Sequence, residues 1–160
     1  MVTKIYFANG LFSEQEARYN AYMVEQIRNE YPNVEVYLPQ ENASINDKNA
    51  YADSIAIAKG DTNELVASDL VVAVLDGVGL DAGVAAEIGL AFGKNIPVVG
   101  LYTDSRQQGA TNQAKLEALQ EVAESQFAYI NLFVIGLIKQ NGQVYSSSKD
   151  LVSGLRDYLK

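Results

Sequence analysis

Leu70-Val-Val-Ala-Val-Leu75, running into Asp76-Gly-Val-Gly-Leu-Asp81 and then Ala82-Gly83-Val-Ala-Ala-Glu87-Ile-Gly89-Leu-Ala-Phe-Gly93, is the stretch that decides the fold. The unbroken apolar run reads as a strand covered on both faces, the kind found in parallel sheets. The Gly-rich loop turns the chain. The small apolar residues after Asp81 read as a helix from Ala82 to Lys94. One carboxylate, Glu87, interrupts them. It lies three residues after Val84 and four before Ala91, so it shares a helix face with both. A carboxylate among such neighbours suggests the mouth of a pocket, with Asp81 beside it at the helix start.

Upstream, Lys4–Ala8 reads as a short buried strand closed by Asn9-Gly10. Ser13-Glu-Gln-Glu16 is a capping-box pattern, and the helix it opens carries Ala17, Ala21, Val24, Ile27 and Tyr31 near helical spacing until Pro32-Asn33. Val34–Leu38 is a second strand ended by Pro39. Residues 40–50 read as a polar loop. A helix is expected from about Ala50 to Ala67, with Gly60 weakening it. Downstream, Pro97–Tyr102 is a fourth strand, and Thr111–Glu124 a helix with Leu116, Leu119 and Ala123 on one side. Phe127–Ile138 is apolar and ambiguous, leaning to helix after Asn131. Gln143–Tyr145 is a last short strand, and Ser148–Leu159 an amphipathic helix carrying Leu151, Leu155 and Leu159.

This alternation of strands and helices predicts an α/β domain with a parallel sheet and helices on both faces. Right-handed crossovers favour five strands in the order 2-1-3-4-5. Ligands of such sheets lie at the carboxyl ends of strands 1 and 3, where the winding reverses. The loops there are Asn9–Phe12 and Asp76–Asp81.

The chain has 160 residues, 48% of them hydrophobic and 20% charged, which suits one domain with its own core. A formal net charge of −8 argues against binding to a nucleic-acid backbone or an anionic membrane. No cysteine or histidine is present. That removes disulfides, thiolate nucleophiles, imidazole acid–base work and the common zinc sites. Catalysis would rest on Asp, Glu, Tyr, Ser, Thr, Lys or Arg. The start, Met-Val-Thr-Lys-Ile-Tyr-Phe, lacks the apolar core of a signal peptide, and the run at Leu70 is too short to span a bilayer. A soluble, cytoplasmic protein is expected.

A plain alternative exists for each candidate residue. Asp81 reads equally as an N-cap, and Glu87 as a solvated helix glutamate. Against that stand Ala82, Gly83, Ala85, Ala86, Gly89, Ala91 and Gly93, since each helix glycine costs about 1 kcal/mol relative to alanine. Such a cost suggests close approach by a backbone or ligand. A nucleotide-binding loop fits poorly: Gly77-Val-Gly79 lacks the third glycine of G-x-G-x-x-G, no Walker Lys-Ser/Thr pair follows, and Asp81 would repel a phosphate. Asp69 reads as a cap or turn residue and Asp61 as a surface charge. Tyr6 and Phe7 point to opposite faces of the first strand. Tyr6, near its end, could donate its hydroxyl to a carboxylate.

Four segments together resemble the nucleoside 2-deoxyribosyltransferase family: Lys4-Ile-Tyr6-Phe-Ala-Asn-Gly10-Leu-Phe12, Gly60-Asp61-Thr-Asn-Glu-Leu-Val-Ala-Ser-Asp69, Asp81-Ala-Gly-Val-Ala-Ala-Glu87-Ile-Gly-Leu-Ala, and Asn131-Leu-Phe133. The resemblance implies a flavodoxin-like three-layer sandwich that forms homo-oligomers and uses no cofactor or metal. It implies that Glu87 is the nucleophile, that Tyr6 orients it, and that Asp61 and Asp81 meet the nucleobase. Asn131 and Phe133 would be lent by a neighbouring subunit to the sugar end of the site. Phe7, Asn9, Gly10, Phe12 and Gly83 are expected to line the substrate. The sequence departs from the family pattern at Asn42-Ala43, where a base-contacting glutamine would fall. It departs also at Leu11, in place of a bulky aromatic residue, and at the C-terminus, Leu-Arg-Asp-Tyr-Leu-Lys160, which lacks an aromatic tail.

The implied substrates are a 2′-deoxynucleoside and a free nucleobase, exchanged through a deoxyribosyl-Glu87 intermediate. Three other readings stand beside this one. The first is hydrolysis of a 2′-deoxynucleoside 5′-phosphate, for which Ser13 and Arg18 are conceivable phosphate ligands. The second is a non-catalytic nucleoside- or nucleotide-binding module. The third is a structural subunit that uses the Gly/Ala helix as an interface.

Overall fold

A computed structural model describes residues 4–47, 49 and 51–159. The N-terminal Met-Val-Thr, the proposed helix start at Ala50 and the terminal Lys160 lie outside the described residues. The strands are β1 (Lys4–Ala8), β2 (Glu35–Tyr37), β3 (Leu70–Val74), β4 (Val98–Leu101) and β5 (Gln143–Tyr145). They form one sheet in the order β2-β1-β3-β4-β5, with every neighbouring pair parallel. The helices are α1 (Glu14–Glu30), α2 (Ala43–Asn46), α3 (Ser54–Val66), α4 (Ala82–Gly93), α5 (Gln113–Ala118), α6 (Leu132–Asn141) and α7 (Ser148–Gly154).

Alternation along the strands divides the core in two. Ile5, Phe7, Val72, Val74, Val99 and Leu101 pack with Met23, Val24 and Ile27 of α1 and Leu151 of α7. Tyr6, Ala8, Val71, Ala73 and Val98 pack on the other face with Leu65 of α3, Val84, Ile88 and Ala91 of α4, and Val134 and Ile138 of α6. The result is a three-layer, flavodoxin-like α/β fold. The five residues of β3 are all buried, as its apolar run requires.

Local chemistry sets the element ends. Ser13 accepts from the Glu16 amide while the Glu16 side chain returns to the Ser13 amide, the full capping box of α1. Asp53 caps α3 through the Ala56 amide, so that helix begins later than Ala50. It continues through Gly60, where a Cβ would stand 2.5 Å from Ile45 Cδ1; the glycine lets α2 seat against α3. The segment read as a polar loop holds a short 3-10 turn at Pro39–Glu41 and α2.

The expected helix over 111–124 is cut to α5. It buries no residue, and Leu116 and Leu119 are exposed. Its apolar spacing therefore does not correspond to a core-facing side, and Ala123 adopts a left-handed φ of 68° that no helix continues through. The last helix ends at Gly154 and tightens into a 3-10 turn over Leu155–Asp157.

Candidate active site

Strand order reverses between β1 and β3, so the loops leaving these strands flank a crevice. Asp81 begins α4 there, its Oδ1 accepting from the Val84 amide at 3.0 Å. Gly83 sits beneath this cap: a Cβ on it would come within 2.9 Å of Asp81 Oδ1. Its smallness serves the carboxylate. Gly89 and Gly93 have open space at the Cβ position, so nothing in the chain itself meets the steric demand read into them.

Glu87 turns inward from α4 and is half-buried. Tyr6 of β1, fully buried, donates its phenol Oη–H to Glu87 Oε1 at 2.6 Å, the length of a charge-assisted bond. Burial pushes the Glu87 pKa from 4.5 up to about 7; the Tyr6 bond pulls it down, and the charges of Asp61 and Asp81 push it up again. Burial likewise drives the Tyr6 phenol far above its ordinary range, and the Glu87 charge adds to this. Asp61, half-buried on α3, is raised by burial. The site thus holds a carboxylate that burial makes hard to ionise, a phenol that keeps its proton, and a second carboxyl whose ionisation burial also opposes.

The loop after β1 is held by a buried polar network. Asn9 donates to Asn20 Oδ1 at 2.7 Å and accepts from the Gly10 amide at 2.9 Å. Asn20, 1% exposed, donates to the Gly10 carbonyl and to Gln40 Oε1, and Gln40 donates to the Ala17 carbonyl. Gly10 passes so close to α1 that a Cβ would fall 2.3 Å from Glu16 Oε1. Beyond it, Phe12 is 88% exposed.

Tyr6, Glu87, Asp61 and Asp81 therefore come together, with Asn9, Gly10 and Phe12 on the adjoining loop. Phe7 does not join them. It is fully buried in the opposite core with Ile5, because a one-residue step along a strand reverses the face. Asn131 caps α6 through the Phe133 and Val134 amides, and Phe133 is 75% exposed. Among the described residues no hydrogen bond joins either to Glu87 or Tyr6. Ser13 and Arg18 are occupied, the one by its capping box and the other by Glu14. Asn42 does not offer its amide to the crevice: Nδ2 donates to Tyr37 Oη at 3.0 Å, and Oδ1 accepts from Ser44.

Two residues with a part in this arrangement were not singled out from sequence. Asn20 looks like any polar position on an amphipathic helix. Tyr37 is one of ten tyrosines with no local mark. Only strand register could have pointed to it, because it pairs with Tyr6 across β1 and β2. A cavity of about 630 Å³ opens beside the crevice, lined by Asn9, Ser13, Tyr19, Asp76, Gly77 and Thr103 among others, but not by Glu87 or Tyr6. Among the described residues no group of His, Cys, Asp or Glu is placed to hold a metal, and no helix is long and apolar enough to cross a membrane.

The family profile described as nucleoside 2-deoxyribosyltransferase matches residues 5–132. No curated protein matches the chain. Among solved structures, a conserved protein from Enterococcus faecalis V583 is 61% identical, with a TM-score of 0.93 over 98% of this chain and 99% of that one. A 2-desoxiribosyltransferase from Leishmania mexicana shares the fold at 18% identity, with a TM-score of 0.64 over 97% of both chains. The CMP N-glycosidase BcmB of Clostridium botulinum is also 18% identical, with a TM-score of 0.51 over 98% of this chain and 99% of that one. With the profile spanning the sheet's first four strands, the crevice and the start of α6, the chain belongs to the nucleoside 2-deoxyribosyltransferase family.

Proposed function

We propose that this protein moves 2-deoxyribose from one nucleobase to another through a deoxyribosyl ester on Glu87. The observation that carries the reading is the 2.6 Å bond from Tyr6 Oη to Glu87 Oε1, on a carboxylate whose pKa burial raises to about 7. A carboxylate held by one oxygen keeps the other for attack. Glu87 bonds to the anomeric carbon as the C1′–N bond breaks, through an oxocarbenium-like transition state. The electron pair of that bond leaves with the base, and a proton delivered to the base neutralises it. Asp61 is the better donor of the two aspartates, because burial disfavours its charged form and raises its pKa, while the Asp81 side chain is engaged at the start of α4. An incoming base returns its proton to Asp61 and takes the sugar, freeing Glu87. General-acid help of this kind is worth ~10²–10⁴ in rate.

Nucleosides suit the crevice better than nucleotides. Its charged groups are Glu87, Asp61 and Asp81, and nearby cations are engaged: Lys4 by Glu64 and Glu35, Arg18 by Glu14. A 5′-phosphate would meet repulsion. Tyr129, Leu132 and Phe133, each at least 75% exposed around the start of α6, support an assembly in which a neighbouring subunit brings Asn131 and Phe133 to the site. Such cover would also exclude water from the ester, which decides transfer over hydrolysis.

Intact-protein mass spectrometry after mixing with a 2′-deoxynucleoside tests the reading. The expected result is a gain of one deoxyribosyl unit that is absent in Glu87→Ala and removed by a free base. Release of sugar at the same rate with and without an acceptor base would replace transferase by hydrolase. No adduct and no turnover would leave a binding module.

A further inference from the structure

Tyr6 can orient Glu87 only if its own ring is held, and the holding is visible. In the parallel register Tyr6 lies beside Val71 of β3 on one flank and Tyr37 of β2 on the other. Residues so paired point to the same face. The Tyr6 and Tyr37 rings stack with centroids 5.4 Å apart and planes 29° apart, an offset arrangement favoured by aromatic pairs. Because β2 is the edge of the sheet, Tyr37 is the side chain that closes this flank.

Tyr37 is itself fixed from two further directions. Its hydroxyl accepts from Asn42 Nδ2 at 3.0 Å. The Lys4 ammonium stands 5.8 Å from its ring centroid, within the range of a cation–π contact. Lys4 also bonds Glu64 at 2.6 Å, one helical turn beyond Asp61. The same cation thus ties α3, which carries Asp61, to the row of phenols.

We infer that Tyr37 is a positioning residue for the nucleophile: its ring, anchored by Asn42 and Lys4, holds the Tyr6 phenol in the orientation that bonds Glu87. This rests on the reading of Glu87 as nucleophile. A strand-suited but smaller side chain at 37 would open the edge flank, let the Tyr6 ring turn, and weaken its bond to Glu87. The groups facing Glu87 are Tyr6 from β1, Asp61 from α3 and Asp81 at the head of its own helix. Those acting on Tyr6 are Glu87, Asp61 and Tyr37. Among the described residues only Tyr6 donates a hydrogen bond to Glu87, so its loss raises the pH at which Glu87 ionises.

The test is a double-mutant cycle read by carboxyl carbon NMR of glutamate-labelled protein, with the pH profile of adduct formation alongside. Tyr6→Phe removes the bond and should raise the Glu87 midpoint by about one to two pH units, as expected for a hydrogen bond to a charged group. Tyr37→Val should raise it by roughly half a unit or more, Tyr37→Phe should raise it by less because the stack and the Lys4 contact are kept while the Asn42 bond is lost, and Tyr37→Val should add nothing in the Tyr6→Phe background. If Tyr37→Val does not fold, Tyr37→Leu takes its place. An unmoved midpoint in the folded variant overturns the inference, and so does an equal rise in both backgrounds. The NMR midpoint needs no turnover. Absence of adduct in the wild type would sink the reading of Glu87 as nucleophile while leaving the comparison of midpoints to decide the role of Tyr37.

Discussion

Replacing Glu87 with Gln should stabilise the protein at alkaline pH while abolishing sugar transfer. Burial is the first cause of the rise in the Glu87 pKa from 4.5 to about 7, so the folded protein disfavours the ionised form. Each pH unit of displacement is worth about 1.36 kcal/mol, which gives roughly 3 kcal/mol at most and about 2–3 after allowing for the exposed part of the group. The folded value lies above the unfolded one. Stability from this group is therefore fully present below about pH 4.5 and is lost as the pH climbs through about 7. Glutamine has the shape of the protonated carboxyl and keeps an oxygen for Tyr6, yet never ionises. The difference in unfolding free energy between Glu87→Gln and wild type should be near its minimum at pH 4.5 and grow to about 2–3 kcal/mol by pH 8.5. Urea unfolding at fixed protein concentration across that range measures it, and the other carboxylates cancel in the difference. A flat difference, or a wild type that is the more stable at pH 8.5, would refute the claim that the fold strains this carboxylate.

Asp61→Asn removes a charge that opposes ionisation of Glu87, so the Glu87 midpoint should move to lower pH while base exchange falls ~10²–10⁴-fold; carboxyl NMR and exchange assays report the two effects separately. Asn20→Leu takes from the Gly10 carbonyl, Asn9 Nδ2 and Gln40 Oε1 the bonds that Asn20 makes to them, while Asn9 keeps the Gly10 amide and Gln40 the Ala17 carbonyl, and should cost about 2–3 kcal/mol in urea unfolding. Gly83→Ala gains about 1 kcal/mol of helix propensity and loses about as much by displacing the Asp81 cap, so thermal unfolding should change little while transfer slows.

Much of this architecture is written locally. The run at Leu70 needs cover on both faces, Asp81 and Asn131 announce the starts of α4 and α6, and Ser13 with Glu16 opens α1. These signals fix element type and order, and order with handedness fixes the sheet. The errors fall where packing overrides pattern. Leu116 and Leu119 recur at helical spacing, yet the chain after β4 swings away from the sheet and leaves them outside. Phe7 lies next to a site residue in sequence and on the far side of the sheet in space. The glycines of α4 suggest one steric cause, and the structure supplies it only at Gly83.

The lateral relations of the site are invisible without register. One row across the sheet runs Tyr37, Tyr6, Val71, Val98, and the next row toward the carboxyl edge runs Ala8, Ala73, Gly100. Both rows face α4 and α6. The large row supplies the phenols. At Gly100 a Cβ would come within 2.9 Å of Leu75 and 3.4 Å of Ile138, so the small row gives room for the chain that crosses above it. Small side chains at the carboxyl edge let α4 settle close to the sheet, and only a closely settled helix can bring a glutamate about one and a half turns from its start down onto a phenol rooted in β1. The environment of Glu87 is therefore a property of two rows drawn from separate strands. Substituting a larger residue at Ala73, fully buried at the centre of the small row, should lift α4 and lengthen the Tyr6–Glu87 bond before it unfolds the protein.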